Sequence, residues 1–434
     1  LQKNKCLLYF IINKVAEIQS LRAWRYNEFL KEILPQITAP MSETVLQQKR
    51  AMFYHQPYHY FHISSPMDTP PYHNATRRVE NWKLDKVIEQ DGVAGIYVYF
   101  QYFHLKENPQ KIYCRKGFIA HIKATEFTEN IVLPHELTIK RAVEHRVALL
   151  ESTNMHTIPT HAFYTDKNLS VEHLLEESIQ YPLADVTDQY GTRHVLSVIH
   201  DRKAIDVFIE MMKEKQVWIA DGHHRYESSV KYAQLQKRRN NHHTGNELYN
   251  YHLMWFTNTE SSDLGLFPTH RIIHSLKHFD KDDFFKTIQE FFDIEINTQT
   301  QETRLAPSEN LGTFLLVFKN ESYILRLKSN AMAKFEADLP EEVKQLDLSV
   351  LHYFILEKGL GLREQMQFEY LDFTHKVSQC YKDVQEGKAQ FAILTRKVTL
   401  QEIENVIKKG YIMPAKTTYF FPKVLGGLVF SSAL

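Results

Sequence analysis

The stretch VWIADGHHRYE, residues 217–227, places Asp221, Gly222, His223, His224 and Arg225 in one unbroken run. Val217, Trp218, Ile219 and Ala220 before it form a short apolar segment that suits a buried strand. After it Tyr226, Val230 and Ala233 recur at helical spacing, so a helix begins close to Arg225. A strand, a tight Asp-Gly turn and a helix aim backbone N–H groups and the positive end of the helix dipole at whatever sits above the turn, which favours an anion. The two imidazoles and the guanidinium would add side-chain donors, and phosphate is the first candidate. Each residue also has a plainer reading, since Asp caps helices well and a loop histidine is more often a satisfied structural group. Three consecutive donors at the end of a buried strand are nevertheless costly to keep unless something uses them.

Four other clusters carry reactive groups. PHELT, residues 134–138, presents His135, Glu136 and Thr138, enough for general acid–base work or a metal contact without being diagnostic of either. PTHR, residues 268–271, brings His270 and Arg271 as a second anion contact. Glu43 stands in APMSETV and Lys416 in MPAKTTYFFPK. Neither a G-x-x-x-x-G-K-[ST] loop nor a G-x-G-x-x-G turn occurs, so the common nucleotide loops are excluded, as is the H-E-x-x-H zinc motif. Adjacent histidines on a turn point in different directions, and no ligand set has zinc-like spacing.

The elements that must hold these residues are read from periodicity. GIYVYFQYF and RKGFIAHIKA look like an antiparallel pair; IKRAVEHRVALLEST, VEHLLEESIQ and RKAIDVFIEMMKEK read as helices; HAFYTD, RHVLSVIH and YHLMWFTN read as strands. Beyond residue 275, DDFFKTIQEFFDIEI reads as a helix, GTFLLVFKNESYILRL as a hairpin and LDLSVLHYFILEKGLG as a helix with a Gly stop. Hairpins mixed with helices, without regular strand–helix alternation, give an α+β fold class. The expected organisation is an extension over residues 1–14 outside the fold, a core over 15–275, and a C-terminal α+β region over 276–434 with a tail packing back on the core.

The chain has 434 residues, 43% apolar and 24% charged, which fits a globular protein. Lys plus Arg and Asp plus Glu each total 52, so no general cation excess drives binding to nucleic acid or an anionic membrane. No apolar run approaches the roughly 20 residues of a membrane span. The three cysteines, Cys6, Cys114 and Cys380, are far apart without metal-type pairing, which points to a reducing, cytoplasmic setting.

LPHELT, IADGHHRYESS, FPTHR and MPAKTTYFFPKVLGGLV, in this order and at these separations, resemble the bacterial and archaeal domain of unknown function 1015 family from about Val15 onward. Two departures stand out: Glu43 occupies a place where family members carry Asp, and Ala415 and Thr417 stand where Gln and Ser are usual. The family's D-G-H-H-R turn is similar to that of the ParB-like superfamily, which includes nucleotide-binding partition proteins, sulfiredoxin and a free serine kinase. The resemblance implies a ParB-like mixed core with an added C-terminal region, and phosphoryl transfer between ATP or ADP and serine or phosphoserine with Mg²⁺. On that basis Asp221, Gly222, His223, His224 and Arg225 would hold phosphates, with Asp221 also on Mg²⁺. Glu43, or failing it Glu136, would orient or deprotonate the hydroxyl; His135, His270, Arg271 and Lys416 would make further contacts to substrate or phosphate. The partners implied are a small-molecule substrate and a nucleotide. A phosphoserine hydrolase, a nucleotide-dependent switch and a non-catalytic protein stand as alternatives.

Overall fold

The computed structural model describes residues 16–41, 51–105, 108–261, 263–298, 311–336, 339–363, 367–413 and 416–434. Two compact units emerge. The first holds residues up to Pro134, Thr138–Leu264 and Pro422–Leu434; the second holds His135–Leu137 and Gly265–Phe421. Each mixes helices with sheets, so the fold is α+β.

The first unit is built on a nine-stranded mixed sheet. Its strands are β1 (Ile18–Gln19), β2 (Ile96–Leu105), β3 (Asn108–Lys123), β4 (Val132–Leu133), β5 (Thr160–Tyr164), β6 (Ala184–Thr187), β7 (Arg193–Ile199), β8 (Val217–Asp221) and β9 (Tyr251–Asn258). The order across the sheet is β6-β7-β2-β3-β9-β5-β8-β4, with β1 added beside β3. β5 runs parallel to β9 and β4 parallel to β8. β2 and β3 form the antiparallel pair that the sequence leads one to expect, with Tyr97 opposite Ile119 and Tyr99 opposite Gly117.

Both faces of this sheet are covered, which explains why its central strands read as continuous apolar runs and not as alternation. Every residue of β9 is buried. Leu253 and Trp255 pack on one face with Tyr60, Phe61 and Phe430, while Met254 and Phe256 pack on the other with Phe208, Met212 and Tyr226. Each such side chain contributes about 1.5–3 kcal/mol by leaving water. Asp201 caps the helix Arg202–Met212 by accepting from the Ala204 N–H at 2.8 Å, and that amphipathic helix buries Ile205, Phe208 and Met212.

The second unit carries a six-stranded sheet of β10 (His270–Ile273), β11 (Phe292–Ile296), β12 (Thr313–Val317), β13 (Ser322–Leu327), β14 (Leu371–Thr374) and β15 (Phe391–Leu394). The order is β11-β13-β12-β15-β10-β14, antiparallel throughout. The segment expected as one α-helix is α-helical over Asp347–Val350 and π-helical over Leu351–Gly359. Its Leu351, Tyr353, Phe354, Ile355 and Leu356 are all buried, so core packing on several sides, and not an amphipathic stripe, sets its geometry. Among the described residues no helix is long and apolar enough to cross a membrane.

Histidines are buried in the first unit to an unusual degree. Burial pushes His121 and His59 down to about 3 and His156 to about 4, and His252 goes well below its ordinary value. His252 is held by Ser229 Oγ and Thr160 Oγ1, both at 2.7 Å, whereas both ring nitrogens of His121 are buried without a hydrogen-bond partner. Unfolding frees these imidazoles to bind protons below about pH 6.5 while the native protein excludes them. Stability should therefore be constant above pH 7 and fall as pH drops from 6.5 towards 4, by about 1.4 kcal/mol per pH unit for each histidine kept neutral. Urea midpoints measured between pH 8 and pH 5 check this; a flat profile would mean that the imidazoles are not shielded.

Candidate functional site

β8 opens the strand–turn–helix motif of the first unit as the periodicity requires. Val217 and Ile219 join the core on one face, and the ring of Trp218 packs at a tilt against Phe163 with centroids 4.4 Å apart. The ladder with β5 shifts register between Ile219 and Asp221, and this turns the strand end out of the sheet. Gly222 then adopts φ 106°, ψ 30°, and the 17-residue helix His223–Arg239 starts directly after it. Glycine is required there twice over. A side chain would be strained at this φ, and a Cβ would lie 2.5 Å from Arg225 Nη2.

That close approach exists because Arg225 folds back across the turn. Its Nη2 donates to Asp221 Oδ2 at 2.9 Å and to the Asp221 carbonyl at 3.3 Å. The second carboxylate oxygen, Oδ1, accepts from Lys423 Nζ at 2.6 Å. Burial alone would raise the Asp221 carboxyl, but Lys423 and Arg225 outweigh it and hold the group well below the usual carboxylate range. Arg225 Nη1 is buried with no hydrogen-bond partner among the described residues.

More positive charge stands behind this pair. Arg115 is fully buried, donates to the Pro422 carbonyl at 2.9 Å, and lies over the ring of Trp255 at 5.9 Å. Burial pushes it down to about 9 against the opposing pull of Tyr99 and Asp221, so it stays charged at neutral pH. His161, stacked on Trp255 at 4.5 Å, is kept neutral by burial and by Arg115. Tyr60, with a buried hydroxyl that has no hydrogen-bond partner among the described residues, feels both Arg225 and Arg146; its ring packs so tightly on Gly426 that a Cβ there would collide with it. Three cations, Lys423, Arg225 and Arg115, thus face a single carboxylate. Such a surplus attracts an anion and suits phosphate geometry.

The other sequence candidates are placed as follows. His224 Nε2 accepts from the Ile139 N–H at 2.9 Å, at the residue that precedes the helix Lys140–Thr153. His223 is buried. Glu136, His135 and Lys416 come together in the second unit. Glu136 Oε1 accepts from Thr418 N and Oγ1, both at 2.7 Å, Oε2 accepts from Lys416 N at 3.2 Å, and His135 Nε2 lies 2.8 Å from Thr418 Oγ1. His270 and Arg271 sit on β10 of that unit. Glu43 lies outside the described residues. Arg115, Tyr60 and Lys423 were not foreseen as site residues; only Lys423 carried a signal, as the last residue of MPAKTTYFFPK.

The donor set does not fit Mg²⁺ on Asp221. Both oxygens of that carboxylate are already taken by cations, which would repel a dication, and among the described residues no group of three His, Cys, Asp or Glu side chains gathers as ligands.

Comparison with known proteins identifies the family, whose sequence profile matches residues 18–349. The chain belongs to the family described as protein of unknown function, DUF1015. No curated protein matches it. Among solved structures, this DUF1015 chain is similar to free serine kinase in complex with AMP, at 13% identity and TM-score 0.34, covering 67% of this chain and 83% of that one. A conserved hypothetical protein from Pyrococcus furiosus matches at 12% identity and TM-score 0.34, covering 68% and 89%. C-terminally truncated SbnI from Staphylococcus aureus matches at 12% identity and TM-score 0.35, covering 72% and 86%.

Asp221→Asn should destabilise the protein by about 3 kcal/mol, the low end for breaking a buried pair because Asp221 keeps 25% of its side chain exposed. Added phosphate should restore part of the loss by replacing the missing negative charge. Urea unfolding of both proteins with and without phosphate reads both effects, and an unchanged midpoint would show that the cations need no counter-charge. Gly222→Ala should cost about 1–3 kcal/mol from backbone strain, measured in the same way.

Proposed function

We propose that this protein is a phosphotransferase that moves a phosphoryl group between a nucleotide and the hydroxyl of serine. The observation that carries the reading is the surplus of buried cations around Asp221: Lys423, Arg225 and Arg115 against one carboxylate, at the start of a 17-residue helix. Phosphoryl transfer asks mainly for positioning and charge neutralisation, which such a cluster supplies. The choice of serine rests on the resemblance of the Asp-Gly-His-His-Arg turn to that of the serine kinase-like proteins.

In this reading Arg225 and Arg115 neutralise phosphate oxygens, and Lys423 exchanges its bond to Asp221 for one to phosphate. Asp221 is the counter-charge that keeps the three cations together when the ligand is absent. Transfer from ATP leaves ADP and phosphoserine, and the serine hydroxyl gives up its proton. Glu43 is assigned to take that proton, because Glu136 already accepts three hydrogen bonds from Thr418 and Lys416. Mg²⁺ is not assigned to Asp221.

Phosphorus NMR tests the reaction in two mixtures, ATP with L-serine and ADP with phosphoserine. Appearance of phosphoserine in the first or ATP in the second is the expected result. Release of inorganic phosphate alone would make the protein a hydrolase using the same cradle. Arg225→Met should weaken nucleotide binding at least tenfold by calorimetry with the fold retained, and unchanged affinity would remove the phosphate assignment.

A further inference from the structure

Built-in guanidinium–carboxylate pairs in this protein take two forms: Arg78 and Arg396 present Nη1 and Nη2 to Asp68 and Glu402, and two other arginines present Nε and Nη2. Arg25 places Nε and Nη2 on Asp91, at 2.9 and 2.6 Å, and Arg193 places the same two atoms on Asp185, at 2.8 and 2.7 Å. Nε–H and the outer Nη2–H point the same way, which matches the two oxygens of a carboxylate. Arg271 in the second unit departs from this pattern. It is 1% exposed, its Nη1 donates to the Thr269 carbonyl, and both Nε and Nη2 are buried without a hydrogen-bond partner among the described residues.

The surroundings of Arg271 do not compensate it. On β10 it stands opposite Phe373 of β14 and Ile393 of β15, and its guanidinium lies 5.6 Å from the Phe373 ring centre. His352, in the Leu351–Gly359 π-helix, is near enough to feel its charge, and the ring Nε2 is likewise buried without a partner. Burial together with that charge pushes His352 down to about 3, so its ring is neutral at pH 7. Glu136 bears on Arg271 electrostatically, while its carboxylate oxygens accept from Thr418 and Lys416. Leaving a guanidinium buried without a partner costs several kcal/mol. π-Helical geometry is rare, and occurs mostly as single-turn bulges that are frequent at functional sites.

We propose that Arg271, with His352 beside it, is a binding site for the carboxylate of a small organic acid, received by the Nε–Nη2 fork. Glu136 already bears on Arg271, so a monoanion adds one further negative charge there, whereas a phosphate dianion would add two. Because Arg271 is 1% exposed, binding requires local opening of the segments around it. The site lies in the second unit and shares no residue with the Asp221 cluster, so it stands or falls independently of the phosphotransferase reading.

Wild type, Arg271→Lys and Arg271→Met are compared with acetate, succinate, L-serine and inorganic phosphate as probes, at constant ionic strength with chloride as the control. Two readouts are taken: the urea midpoint, and the arginine side-chain Nε–H resonances of nitrogen-15-labelled protein, with the Arg271 signal identified by its loss in the variants. At least one carboxylate probe should raise the wild-type midpoint and shift the Arg271 Nε–H signal. Arg271→Lys keeps the charge but not the fork, and should bind that probe at least tenfold more weakly. Arg271→Met should be as stable as wild type or more so in the absence of any probe, since it removes an unpaired buried charge. The proposal is overturned if no carboxylate moves the wild-type resonance, if the Lys variant binds as well as wild type, or if phosphate binds more tightly than every carboxylate. A Met variant less stable than wild type would make Arg271 a structural residue. Should that variant not fold, the wild-type resonance and the Lys variant still decide the matter.

Discussion

The first unit depends on one carboxylate accepting from two cations that arrive from different directions along the chain. Arg225 reaches Asp221 from one helical turn ahead, and Lys423 reaches it across 202 residues. The pair ties the end of β8, the start of the following helix and the returning segment Pro422–Leu434 to one point. The rest of that segment is fastened along its length: Leu425 N donates to the Tyr99 hydroxyl at 3.2 Å, Phe430 N donates to the Trp24 carbonyl at 2.9 Å, and Gly426 admits the Tyr60 ring. Without those apolar anchors Lys423 would have to hold itself in place at the expense of its own conformational entropy.

The same arrangement explains why the site carries more positive than negative charge. A buried ion pair contributes little net stability, and a third buried cation makes the balance worse. Arg115 is tolerated because Pro422 O accepts from it and aromatic faces surround it. The imidazole of His161, which burial keeps neutral, adds no further charge. Such a cluster lowers stability, a cost that proteins commonly bear at functional sites.

Much of the architecture was legible from local patterns. The β2–β3 pair, the strands Thr160–Tyr164 and Tyr251–Asn258, the helices Lys140–Thr153 and Arg202–Met212, and the hairpin Thr313–Val317 with Ser322–Leu327 all follow periodicity and turn chemistry. The π-helical geometry of Leu351–Gly359 did not, because its buried residues Leu351 and Tyr353–Leu356 run almost consecutively, mark no single helix face and take their winding from their neighbours. In the motif itself, the positive φ of Gly222 and the fold-back of Arg225 are local consequences of Asp-Gly before a helix. His224 looked like a ligand donor for the same local reason; that its Nε2 accepts from the Ile139 N–H, 85 residues away, is a long-range contact that no local pattern gives.

Residue spacing alone was enough to determine that a strand, a Gly turn and the start of a helix follow one another over residues 217–227 and that the chain is α+β, and the resemblance of its motifs pointed to one family. These are properties of short windows, where side-chain periodicity and backbone sterics act between near neighbours. The tertiary structure decided which charges share a site: Lys423 and Arg115 with Asp221, and Glu136, His135 and Lys416 in the other unit. It also left the fork of Arg271 without a carboxylate. Pairing between charges hundreds of residues apart follows from how apolar faces stack, and no local pattern encodes it.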